Sequence, residues 1–156
     1  MAIMLIVKGA GSRGKTNTLR HVIDILIAKG GNVCYKWDRQ YSYPDDKDWF
    51  IILSKEGRKI GIITFGDPGC EDDVADALEE CNQEGVDFIV AASRTYGEIY
   101  DTLLSFAGRK GFTTIETGTL VLKSEIINTD REDALNKICA QYILNIINHA
   151  NEIEKT

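Results

Sequence analysis

The chain has 156 residues, 44% of them apolar and 27% charged, a balance typical of one soluble domain with a buried core. Eighteen basic against 24 acidic residues leave a net charge of −6, which excludes the broad positive footprint of non-specific nucleic-acid binding. Cys34, Cys70, Cys81 and Cys139 form no CxxC pair, which speaks against zinc and thiol-redox motifs, and no apolar run approaches the roughly 20 residues a bilayer span needs. The expectation is a cytoplasmic protein with reduced, mostly buried thiols and no membrane partner.

Residues 3–7 are continuously apolar and predict a strand buried on both faces rather than a signal peptide, because no basic stretch precedes them. A glycine-rich segment follows. Leu19, Val22, Ile23 and Leu26 then recur at helical spacing, predicting a helix over 16–29 that Gly30 and Gly31 stop. Residues 32–35 read as a short strand and 36–48 as a long polar loop. In that loop Arg39, Tyr41 and Tyr43 stand where a switch or substrate loop would sit. Trp37 and Trp49 read as hydrophobic anchors.

The apolar runs 49–53 and 60–65 flank a polar turn around Gly57 and predict a β-hairpin. Gly66, Asp67, Pro68 and Gly69 end its second arm. Residues 71–84 predict a helix, 88–92 a strand, 96–108 a helix and 112–115 a strand. Residues 117–128 stay ambiguous, with 120–122 a candidate short strand. Residues 132–153 predict the longest helix, with Leu135, Ile138, Cys139, Tyr142, Ile146 and Ala150 on its apolar period. The alternation predicts one α/β domain over 1–156, a mainly parallel sheet with helices on both faces and one antiparallel hairpin strand.

Gly9, Ala10, Gly11, Ser12, Arg13, Gly14, Lys15 and Thr16 match G-x-x-x-x-G-K-[ST] at every position, between a predicted strand and a predicted helix. Glycines let successive N–H groups converge on one point, and the helix N-terminus adds partial positive charge there. Lys15 supplies a full charge for β- and γ-phosphates, and Thr16 a hydroxyl ligand for magnesium.

On these residues the chain resembles the P-loop NTPase superfamily. The resemblance is specific over 3–19 and architectural elsewhere. It implies the three-layer sandwich of that superfamily and binding of ATP or GTP with Mg2+ through Gly9 to Thr16 and the adjoining Asn17. It also implies an acid at the end of an apolar strand beside the first strand. Asp67 fits that acid, holding the metal together with Thr16. Gly69 resembles the glycine of the GTPase D-x-x-G turn, one residue closer here. Glu71 opens the next helix with Asp72 and Asp73; acids there complement the helix dipole, and Glu71 is the candidate for orienting a hydrolytic water.

The carboxyl end of the 88–92 strand is where open α/β sheets bind ligands. It carries Ser93, Arg94, Thr95 and Tyr96 rather than the N-K-x-D that reads guanine. Arg94 is a candidate phosphate or base contact, or else a solvated cation with Ser93 capping the following helix. His21 and His149 show no partner for a triad. The reading is a magnesium-dependent nucleoside triphosphatase, slow or stimulated by a protein partner or a second copy, with Lys15 and Glu71 as catalytic candidates. A nucleotide or small-molecule kinase is one alternative, since the Ser93–Tyr96 segment is similar to a nucleoside-kinase motif without its acid. A non-catalytic nucleotide-binding interaction module is the other.

Overall fold

A computed structural model describes residues 2–9, 15–40, 47–119, 129–150 and 152. Its elements run β1 (Ala2–Lys8), α1 (Lys15–Ala28), β2 (Asn32–Gln40), β3 (Lys47–Lys55), β4 (Arg58–Ile63), α2 (Glu71–Gln83), β5 (Phe88–Ser93), α3 (Glu98–Lys110), β6 (Phe112–Gly118) and α4 (Thr129–Asn148). The six strands form one sheet in the order β2-β3-β4-β5-β1-β6. β1 pairs in parallel with β5 and β6, and β4 with β5. β3 is antiparallel to both its neighbours, so the hairpin contributes the one reversed strand that its turn signal predicts.

Alternation along the strands divides the apolar residues between two cores. Ile3, Leu5, Val7, Ile62 and Val90 pack with Leu19, Val22 and Leu26 of α1 and with Ala140, Ile143 and Ile147 of α4. Met4, Ile6, Ile63 and Ile89 face the other way, onto Val74 and Leu78 of α2 and Leu103 and Phe106 of α3. Two helices therefore cover each face of the sheet. His21 Nε2 lies 3.1 Å from Asp133 Oδ1, so the histidine that lacks a visible partner in the sequence ties α1 to α4. Among the described residues no helix is long and apolar enough to cross a membrane.

Four expectations change. Residues 36–48 are not one loop: β2 continues to Gln40 and β3 begins at Lys47, with Asp38 opposite Trp49 and Arg39 opposite Asp48. β2 lies at the end of the sheet order, and an edge strand can be polar without losing its hydrogen-bond ladder. Tyr41 and Tyr43 lie outside the described residues, as does the 120–122 strand. Second, the strand leading to Asp67 does not lie beside β1, because β5 separates them. All six residues of β5 are buried, which suits it to the centre, whereas β4 begins with the partly exposed Arg58 and Lys59.

Third, α4 begins at Thr129 and ends at Asn148, and Ile138 and Tyr142 are 58% and 56% exposed. Of the predicted stripe, Cys139 and Ala150 are buried and Ile146 packs against the core, while packing against α1 takes Ala140, Ile143 and Leu144 in place of Ile138 and Tyr142. Fourth, Gly97 rather than Ser93 precedes the first turn of α3; the Ser93 hydroxyl donates to the Arg94 carbonyl (2.8 Å). Cys70, Cys81 and Cys139 are buried, Cys34 is exposed, and no disulfide joins any of them. Burial pushes the Cys81 thiol up to about 12, which removes it from nucleophilic chemistry.

Candidate functional site

The carboxyl ends of β1, β4 and β5 and the start of α1 meet at one edge of the sheet. Lys15, the first residue of α1, is only 2% exposed. Its Nζ donates to the Gly9 carbonyl at 2.8 Å and lies 3.9 Å from Asp67 Oδ1. Burial is the main cause that lowers the Lys15 ammonium below its usual range; Asp67 opposes that shift and Arg94 reinforces it. A strand-to-helix turn alone gives no reason to bury a lysine here, since buried charge is costly unless it is paired or used.

Gly9 makes this packing possible. Its N–H donates to the Ser93 carbonyl (3.1 Å). A Cβ on Gly9 would lie 2.9 Å from Thr119 Oγ1 and 3.5 Å from the Lys15 side chain. Ala10, Gly11, Ser12, Arg13 and Gly14 lie outside the described residues.

Asp67 reaches Lys15 although its strand is one position removed. The chain after β4 passes over the end of β5, and Gly66 is the crossing point: a Cβ there would stand 2.5 Å from the Ala92 carbonyl oxygen and 2.9 Å from the Ser93 nitrogen. Gly66→Ala is therefore expected to lower stability by about 1–3 kcal/mol, because backbone rather than a flexible side chain must yield. Gly108→Ala, in α3 with nothing within 4 Å of the added carbon, should be neutral or stabilise by up to about 1 kcal/mol. Urea denaturation of both variants checks the contrast. Equal midpoints would refute the crowding at Gly66.

The crossing brings Asp67 Oδ1 within 3.4 Å of Arg94 Nε. Arg94, at the end of β5, thus faces the site rather than standing as an isolated surface cation. Asp67 Oδ1 is itself buried and accepts no hydrogen bond among the described residues, although the side chain as a whole is 37% exposed. Lys15, Asp67 and Arg94 form one cation–anion–cation row.

The Thr16 hydroxyl is held by a residue that sequence reasoning missed. It donates to Asp48 Oδ1 at 3.0 Å. Thr64 Oγ1 donates to the same oxygen at 3.1 Å and accepts the Trp49 N–H at 2.7 Å. Burial is the leading cause that raises the Asp48 carboxyl above its usual range, against the lowering effect of both hydroxyls. One signal was available: a strand reversed against parallel neighbours starts at the edge where they end. The residue just before the 49–53 run therefore belongs at the ligand edge.

Other candidates lie less centrally. Glu71 Oε1 accepts the Gly69 N–H at 3.0 Å, closing the turn into α2. Gly69 has φ +97°. Asn17 is exposed on α1. Arg39 belongs to β2, not to a loop.

No group of three or more His, Cys, Asp and Glu side chains among the described residues is arranged to hold a metal ion. Magnesium takes few protein ligands and completes its shell with water and phosphate oxygens. The oxygens on hand for such an ion are the Thr16 hydroxyl, whose proton goes to Asp48, and Asp67 Oδ1, which accepts no hydrogen bond among the described residues but stands in ion-pair range of Arg94 and Lys15. The chain matches no protein-family model, no curated protein and no solved structure.

Proposed function

We propose that this chain is a P-loop nucleoside triphosphatase that binds ATP or GTP with magnesium at the Lys15–Asp67–Arg94 edge. The observation that carries the reading is the burial of Lys15 at the start of α1, with the matching glycine-lysine-threonine motif around it. A lysine desolvated there, at a helix N-terminus and a sheet's carboxyl edge, is a preorganised anion site. The row Lys15–Asp67–Arg94 supplies two cations for phosphate oxygens once Asp67 turns from them.

Bound magnesium would neutralise β- and γ-phosphate charge, with Thr16 and Asp67 as the protein oxygens that hold it. Lys15 would orient the transferring phosphoryl group and stabilise its charge, and Arg94 would do the same from β5. Glu71 remains the candidate for aligning a water, provided that it leaves the Gly69 N–H. Without an N-K-x-D segment after β5, adenine and guanine should be discriminated by less than about a hundredfold, or roughly 2.7 kcal/mol.

Calorimetric titration with ATP and with GTP, each with magnesium, tests the reading. Saturable binding of either supports it, and no binding of either overturns it. A GTP preference above about a hundredfold would overturn the base assignment alone. Phosphate release measured with and without candidate acceptors then separates hydrolysis from kinase transfer and from binding without turnover.

A further inference from the structure

The Thr16 hydroxyl has one proton and two lone pairs, and which of them faces a ligand depends on where the proton goes. An ionised carboxylate accepts only, so Asp48 Oδ1 takes the proton of Thr16 (3.0 Å) and that of Thr64 (3.1 Å). The Thr64 oxygen is in turn oriented by the Trp49 N–H at 2.7 Å. Thr64 is buried, and its own N–H donates to the Trp49 carbonyl at 2.9 Å. The chain Trp49 N–H, Thr64 hydroxyl, Asp48 carboxylate, Thr16 hydroxyl thus has a definite direction, anchored in the β3–β4 ladder. It exists because β3 runs opposite to its neighbours and starts at the edge where β4 ends.

We propose that Asp48 is a positioning residue that holds the Thr16 proton, leaving the Thr16 lone pairs for a divalent cation bound with the triphosphate. The assignment rests on the nucleotide-binding reading above and deepens it. Asp48 acts through Thr16, whereas Asp67 faces the cations Lys15 and Arg94. The two acids therefore divide the work that one acid is expected to do from the sequence.

The test is calorimetric ATP binding in magnesium and in EDTA, so that the readout is a ratio of affinities and not turnover. Asp48→Ala should lower the magnesium-over-EDTA ratio about tenfold while changing the EDTA affinity less than about threefold. Asp48→Asn keeps an acceptor oxygen and should retain the ratio within about threefold. In a Thr16→Ala background, Asp48→Ala should lower the ratio no further, because residues acting as one unit are non-additive. If Asp48→Ala does not fold, Asp48→Ser, too short to reach Thr16, takes its place. An unchanged ratio in Asp48→Ala, an equal loss in Asp48→Asn, or a further loss in the double variant overturns the assignment while the nucleotide reading stands. ATP binding by the wild type that magnesium does not strengthen also overturns it. No ATP binding by the wild type overturns the nucleotide reading, and the assignment with it.

Discussion

Lys15→Met is expected to weaken triphosphate binding tenfold to a hundredfold without unfolding the protein. Methionine keeps most of the buried volume and removes the charge. Loss of one charge-assisted contact to phosphate is worth about 1.5–3 kcal/mol, which is that range of affinity. The ligand-free protein should hold its Tm or gain slightly, because burial already disfavours the ammonium and an apolar replacement removes that penalty. Lys15→Ala is the poorer test: at 2% exposure its truncation also leaves a cavity. Calorimetry with ATP and a thermal melt without it, on the same preparation, check both halves. Unchanged affinity in a folded Lys15→Met protein would sink the nucleotide-binding reading.

Asp67→Asn should change binding in opposite directions with and without metal. Asp67 stands 3.9 Å from the Lys15 ammonium and 3.4 Å from the Arg94 guanidinium, where it would compete with the phosphates of the proposed ligand for both. Without magnesium, removing its charge should therefore tighten ATP binding, by up to about tenfold for a partly exposed pair. With magnesium, loss of the anionic metal partner should weaken binding about tenfold to a hundredfold. Glu71→Gln is the matched control. Its carboxylate closes the Gly69 turn at 3.0 Å, so its loss should cost at most about 1 kcal/mol of stability and leave affinity unchanged. Titrations in magnesium and in EDTA decide the matter. Weaker magnesium-dependent binding in Glu71→Gln but not in Asp67→Asn would move the metal role from Asp67 to Glu71.

Much of this arrangement is legible in the linear chain. Local patterns carry that part: the apolar runs at 3–7, 60–65 and 88–92 mark the buried strands, and helical spacing in 19–26 marks the buried face of α1. The glycine-lysine-threonine spacing marks the β1–α1 junction. These signals survive because each depends on neighbours within a turn or a pleat. The stripe on α4 is legible only in part, for the opposite reason: Cys139, Ile146 and Ala150 do pack or lie buried, but Ile138 and Tyr142 share their period, and only contact with α1 distinguishes them.

By itself the sequence determined the α/β alternation, the reversed hairpin strand and the motif that puts Lys15 and Thr16 at the head of α1. Tertiary structure alone decided that β5 lies between β1 and β4, that Gly66 carries Asp67 across it to Lys15 and Arg94, and that Asp48 holds the Thr16 hydroxyl. The physical reason is distance along the chain. Asp48 and Thr16 are 32 positions apart, and no periodicity spans such a separation. Strand order and direction bring them together, set by how the whole sheet buries its most apolar strands at the centre.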